Sequence, residues 1–444
     1  MNDMNIQHFE NQRLGESYDR ILHPSGLEIY VFPKRMTTTY AMFATRYGSI
    51  DQDFRLEGEP ESATVHVPAG VAHFLEHKMF TNEDGVDSFA RFSTWGADAN
   101  AYTAYNRTVY LFGCTDHFDL SLTELLRFVT HPCFPKESVE KEKGIIAQEI
   151  KMYDDDAYER CFTELLRCLY HRHPVRQNIC GTVESIAEIT PKTLMDCYRV
   201  FYNLSNMALV VCGNVTTEEV LAVADRELPM QKPVSIVRAE IDEPDDTCRP
   251  RYSLHMQVAK PIFHIGFKDT GHRASAPERQ RREAIMSILN EMLFSRSGEL
   301  FNSLFESGKI SPGFSYGYSM SDDFSFDSLA GEADDPESVL SEILDYLDRR
   351  RREGLDREVF ARCRRVMCAE YIKDFDSTEE IASDLLGHVF DGGEIFTYGD
   401  LLRGVTFEDT ERLLHEVFRP DRVCMSVVLP LEHETHTYER EETQ

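Results

Sequence analysis

Long apolar runs are missing from this 444-residue chain. No segment approaches the roughly 18 consecutive apolar residues that span a bilayer, so no transmembrane helix is expected. The opening MNDMNIQHFENQRLGE has neither an apolar core nor an Arg/Ser-rich amphipathic face, so no signal or transit peptide is read there. Basic residues are few, 47 against 77 acidic ones, and the formal charge of −30 excludes nucleic acid and anionic membranes as expected partners. The same charge favours cationic peptides, or simply solubility. Paired cysteine motifs are absent: none of the 11 cysteines forms C-x-x-C, and several lie in apolar contexts, such as Cys212 in ALVVCGNV. Reduced thiols in a cytoplasmic protein are the expected state.

What is present is enough for two to three domains, with 42% hydrophobic residues to fill their cores. Strand-like runs cover Leu27–Pro33 and Tyr40–Tyr47. A strand pair fits Ala99–Tyr105 and Thr108–Cys114 around an Asn106–Arg107 turn. Helical periodicity covers Val71–Met79, Leu120–Val129 and Lys136 to about Met152. A helix follows Pro191, then the strand-like MALVVCGNV, then a helix near Thr216. The proline-rich, charged stretch 229–251 reads as a linker between a domain at 1–228 and another at 252–435, with a tail at 436–444. Beyond the linker, strands restart near Leu254 and Phe263.

The chain also echoes itself. LTELLRFV at 122–129 resembles LSEILDYL at 340–347, and aligning Phe134 with Leu355 puts Glu149 on Glu370. HFLEHKMF then falls on SILNEMLF, so His73, Glu76 and His77 become Ser287, Asn290 and Glu291. Two halves of one fold are expected, with the polar cluster kept only in the first.

That cluster is HFLEH, residues 73 to 77. On a helix His73 and His77 lie one turn apart on one face, where two imidazoles can bind one Zn²⁺. Glu76 sits beside that face, in reach of a water on the metal; this is H-E-x-x-H reversed. The mostly apolar surroundings, VPAGVAHFLEHKMF, would bury these polar groups and leave them in need of partners. A third ligand must come from elsewhere. Glu142 and Glu149, two helical turns apart on one face, are the candidates, with Ile145, Ile146 and Ile150 expected to seat their helix on a core.

The runs GVAHFLEHKMF, WGADANAYTAYNRTVYLF, VEKEKGIIAQEI, HPVRQNICGTVESIAEIT and FYNLSNMALVVCGNV occur in this order. In them the chain resembles the pitrilysin/insulinase-type zinc peptidases, in the branch with mitochondrial processing peptidase. The resemblance implies an α+β fold of two homologous domains, each a twisted, mainly antiparallel sheet covered by helices. It implies one zinc per chain on His73, His77 and Glu149, with Glu142 supporting the site from outside and Glu76 as general base. Asn100 and Ala101 fall on the edge strand that pairs with the substrate backbone. Family members often carry an Arg and a Tyr in the second half for the oxyanion; here Phe305 stands at the expected Arg, and Tyr316 and Tyr318 are the available tyrosines. One such donor is worth roughly 3 kcal/mol, so either Tyr316 or Tyr318 is expected to substitute in binding substrate, or, the favoured expectation, a partner chain in a homodimer or a heterodimer with a related subunit supplies the pair.

Other histidines and arginines have plainer readings. His171 and His173 suit a loop, and DRRRREG at 348–354 suits a helix C-terminus stopped by Gly354. The histidines of EHETHTYEREETQ belong to a terminal tail. The expected function is a cytoplasmic zinc endopeptidase acting on peptides or unstructured segments. The alternatives are a non-catalytic scaffold subunit and a subunit that trims one dedicated precursor.

Overall fold

The computed structural model describes residues 6–82 and 84–431. The tail expected at 436–444 lies outside them. In the first half, β1 (Ile6–Asn11), β2 (Glu16–Leu22), β3 (Glu28–Pro33) and β4 (Thr39–Thr45) precede the short β5 (Asp53–Leu56) and β6 (Val65–His66). Helices α1 (Val71–Met79) and α2 (Ser88–Thr94) lead to the hairpin β7 (Asp98–Thr103) and β8 (Thr108–Cys114). Then come α3 (Phe118–Thr130), α4 (Lys136–Asp155), α5 (Ala157–Leu169), α6 (Val183–Ala187) and α7 (Pro191–Phe201). β9 (Met207–Gly213) and α8 (Thr217–Glu227) close this half.

After β10 (Ile236–Arg238) the second half opens with β11 (Arg251–Met256) and β12 (Ile262–Asp269). It continues through α9 (Ala276–Phe294), α10 (Glu299–Glu306), β13 (Ser315–Met320) and β14 (Ser325–Glu332). Helices α11 (Pro336–Glu353), α12 (Arg357–Asp374), α13 (Thr378–Phe390), α14 (Ile395–Gly404) and α15 (Phe407–Val417) precede β15 (Val423–Pro430).

The first sheet runs β1-β2-β3-β9-β4-β8-β7 and the second β11-β15-β12-β14-β13. The five-strand order β3-β9-β4-β8-β7 is therefore repeated in the second half. In both, the first pair is parallel and the others antiparallel. The sequence echo reflects this: α3 and α4 correspond to α11 and α12, and α1 to the last turns of α9. The chain is α+β with two homologous domains.

The halves exchange cover. β9, MALVVCG, is buried at every position, because both faces of its sheet are packed. On one face Ile29, Phe43 and Val211 meet helices of the first half. On the other, Phe32, Met42 and Val210 share a core with Phe375, Leu385 and Phe396 of the second. Reciprocally, α5 lies on the second sheet, where Gly266 of β12 lets Leu165 and Leu169 approach so closely that a Cβ would crowd both. Ala157–Leu169 was not anticipated as a separate helix.

The stretch 229–251 is stapled rather than free. Ile236–Arg238 pairs antiparallel with β5. The Glu243 carboxylate accepts the backbone N–H groups of His171, Arg172 and His173 at 2.8–2.9 Å and the Lys268 ammonium at 2.6 Å. Burial pushes the Glu243 pKa up, but Lys268 and the three amides outweigh it and pull the carboxyl down to about 2. Gly354, at φ +85°, ends α11 after its arginine-rich last turn, as expected. No helix among the described residues is long and apolar enough to cross a membrane.

Glu243→Gln removes the counter-charge of the buried Lys268 ammonium, which keeps its bond to the Asp246 carbonyl, and a loss of about 3 kcal/mol is expected in urea unfolding at neutral pH. The carboxylate's stabilisation is present above its unfolded pKa and fades as pH falls toward 2, so the parent and variant curves should converge in acid.

Candidate metal centre

The entry to α1 is set by close backbone contact. Gly70, at φ +91°, precedes the helix, and a Cβ there would overlap the Cys180 carbonyl. Gly181, at φ +76°, abuts the Ala69 carbonyl in the same way. The 178–181 loop is thus pressed against the start of α1, with Cys180 Sγ 3.8 Å from His73 Nε2. Every residue of α1 is buried except His77, which is partly so. Imidazoles, a carboxylate and an ammonium are therefore held away from water, at a cost that only partners offset.

The partners come from α4. His73 Nε2 lies 3.5 Å from Glu149 Oε1, and His77 Nε2 lies 3.4 Å from Glu149 Oε2. Among the described residues, these three form the one group of His, Cys, Asp or Glu ligand atoms lying within 4.8 Å of one another. The separations are long for hydrogen bonds. They match the edge of a tetrahedron with bonds of about 2.05 Å, which is roughly 3.3 Å. Two neutral nitrogens and one carboxylate are also the donor chemistry that zinc takes. The residues present fit that ion.

His77 Nδ1 is 3.2 Å from Glu142 Oε1, which aims its other nitrogen at Glu149. Burial lowers the His77 pKa, but the Glu142 bond and the carboxylates of Glu76, Glu149 and Glu142 outweigh it and hold the group above the ordinary imidazole range. Bonding to His73 heads the causes that hold Glu149 below the usual carboxylate range. Burial raises Glu142, and His77 and Lys78 more than reverse it. His73 Nδ1 is buried without a hydrogen-bond partner, so on that side of the ring only packing orients it.

Glu76 stands beside the pair and accepts a hydrogen bond of 2.6 Å from the Thr103 hydroxyl at the end of β7. Lys78, 2% exposed, donates to Ser138 at 2.6 Å, Thr81 at 3.0 Å and Glu142 at 3.3 Å. Ile145 does not seat α4 as expected. It is 48% exposed, because it shares the Glu142–Glu149 face, and Val139, Ile146 and Ile150 make the core contact instead.

These groups open onto a cavity of about 940 Å³. Asn100 and Ala101 line it from β7, whose outer edge ends the sheet. Phe89, Tyr102 and Ile145 add partly exposed apolar surface.

Tyr316 and Tyr318 do not reach this cavity. The Tyr316 hydroxyl donates to Glu291 at 2.7 Å, and the Tyr318 hydroxyl donates to Asp269, which Arg282 also grips. Phe305 lies on α10 with its ring 5.6 Å from that of Phe301. In the second half, Asn290 donates to Asp327 and Glu291 is taken by Tyr316. The echoed positions thus engage in hydrogen bonds of their own.

Thr103, Lys78 and Cys180 were missed in the sequence. Thr103 had a signal, lying two residues beyond Ala101 on the same strand and hence on the same face.

Two family descriptions match the chain: insulinase (peptidase family M16) over residues 67–183, and the peptidase M16 inactive domain over residues 188–367. The chain is 36% identical over 430 residues to an uncharacterized zinc protease of Bacillus subtilis, YmfH, covering 96% of this chain and 99% of that one. A crystal structure of an M16-like peptidase from Alicyclobacillus acidocaldarius superposes with a TM-score of 0.88 at 33% identity, covering 97% and 99%. Pitrilysin shares the fold with a TM-score of 0.72 at 17% identity, and this chain, 97% covered, spans 47% of it. With the first two matches running nearly end to end, the chain belongs to the M16, or insulinase, family of peptidases.

Proposed function

We propose that this protein is a zinc-dependent endopeptidase that cleaves peptides or unstructured polypeptide segments, in the branch with mitochondrial processing peptidase. The observation that carries the reading is the convergence of His73, His77 and Glu149 beside Glu76, at the floor of a cavity bordered by the last strand of the first sheet. His73, His77 and Glu149 would hold one ion per chain. Bound there, zinc supplies a Lewis acid that acidifies water and polarises a carbonyl.

The remaining chemistry belongs to the chain's own residues. Glu76 takes the proton of the attacking water and returns it to the leaving amine. Thr103, donating to one Glu76 oxygen, leaves the other free for that exchange. Glu142 fixes the His77 ring, and Lys78 fixes Glu142. The outer edge of β7 at Asn100 and Ala101 receives the substrate in extended form, by main-chain hydrogen bonding. The apolar surface of Phe89 and Ile145 takes side chains.

A second chain completes the site in this reading. Among the described residues, neither Tyr316 nor Tyr318 lines the cavity, and no residue of the second half does. The oxyanion donors are then contributed in a homodimer or heterodimer. The chain's 47% coverage of pitrilysin accords with a molecule made of two such chains. Cytoplasmic placement belongs to the same reading and is supported by 11 free cysteines.

Glu76→Gln should keep one zinc per chain by elemental analysis and lose at least about a thousandfold in kcat on an unstructured fluorogenic peptide, with Tm unchanged. Cleavage by that variant near the parental rate removes Glu76 as the base. Glu149→Gln and His77→Ala should lose the metal itself.

Zinc must displace a proton from His77, whose pKa is raised, so apparent affinity should weaken as pH falls from about 8 to about 6, by up to roughly tenfold per unit. Competition titration with a chromophoric chelator measures this. A flat profile excludes His77 as a ligand.

A further inference from the structure

A second cavity, of about 260 Å³, adjoins the first, and Gln177 and Asn178 line both. Its wall carries three guanidinium groups, from Arg167, Arg172 and Arg176. Two are anchored. Arg167 is bonded to Glu164, and Arg172 lies 2.9 Å from Asp242. Glu164 is buried and holds Arg167, sharing its carboxylate with Arg160, whereas the Arg172–Asp242 pair lies in solvent.

Arg176 is different. Its Nε is buried with no hydrogen-bond partner, and among the described residues its guanidinium makes no ion pair. An uncompensated, partly buried cation is costly unless an anion visits it. Three cations against two carboxylates leave one positive charge over, on a chain whose total is −30. The guanidinium fork matches a carboxylate with two parallel hydrogen bonds.

The cavity is also rigidly placed. It includes Ala69 and Gly181, the contact that presses the 178–181 loop against α1 just before His73. Its position relative to the metal cluster is therefore fixed by backbone packing.

We propose that the Arg167–Arg172–Arg176 cavity is a subsite for an acidic side chain of the peptide substrate. The ligand assignment rests on the peptidase reading. The net negative charge of the chain repels small free anions at a distance. A carboxylate carried on a peptide already seated in the larger cavity enters at high effective concentration and avoids that barrier. The subsite thus selects peptides with Asp or Glu at one fixed distance from the scissile bond.

The test uses the full-length Glu76→Gln chain loaded with zinc, together with its partner where one is needed for cleavage. A series of unstructured peptides of about ten residues carries a single Glu moved through the sequence, and each has a Gln twin. Binding is read by fluorescence anisotropy. One register should bind about tenfold tighter than its twin. Inorganic phosphate should compete away only that increment. Arg176→Met should abolish the increment, while Arg176→Lys, keeping charge without the fork, should retain part of it. Melting curves and binding of the Gln twins verify that both variants are folded.

No favoured register, or a preference that survives Arg176→Met in folded protein, overturns the proposal. Register-specific binding without any cleavage by the native chain would remove the peptidase reading and leave the subsite. Cleavage without charge discrimination would remove the subsite alone.

Discussion

The site rests on the burial of a nine-residue helix that carries two imidazoles, a carboxylate and an ammonium. A helix this short has little stability of its own, so its surroundings must hold it. Each polar group it takes out of water then requires a counterpart. α4 supplies most of them: Glu149 to both histidines, Glu142 to His77 and Lys78, and Ser138 to Lys78. β7 supplies Thr103 to Glu76. The polar residues of α1 thereby dictate where α4 and β7 lie, and the cavity is the space those three elements leave between them.

Duplication explains why one half carries this arrangement and the other does not. The repeated five-strand order gives both halves the same scaffold. In the second, Ser287, Asn290 and Glu291 occupy the positions of His73, Glu76 and His77, and Asn290 donates to Asp327 while Glu291 accepts from Tyr316. What that half contributes instead is packing: its α13 covers the first sheet, as α5 covers the second. Neither sheet is completed by its own half, which is why β9 reads as an unbroken apolar run.

Much of this was legible from residues alone where the signal is local. Val71–Met79 and Thr108–Cys114 were bounded correctly because their apolar periodicity starts and stops sharply. The shared face of Glu142 and Glu149 follows from helical geometry. The same geometry, applied to position 145, would have turned Ile145 toward the cavity, but its hydrophobicity suggested a core position. The β1–β2 hairpin escaped notice because β1 is exposed and polar along most of its length. The role of α5 was hidden for another reason: its apolar face covers strands contributed by the other half, and periodicity carries no information about which sheet a helix meets. Nor could spacing show that 229–251 is pinned, since Glu243 binds backbone amides, which have no sequence signature.

α4 and α5 are separated only by Asp156, whose side chain accepts the Tyr158 and Glu159 amides and so locks the joint between them. One arm of this bent rod ends in the second sheet, wedged at Gly266; the other carries Glu149. The packing of α5 on the second sheet therefore bears, through that joint, on where the carboxylate facing the two histidines lies. A side chain added at Gly266 would push against Leu165 and Leu169, and its strain would be felt at the far end of the same pair of helices.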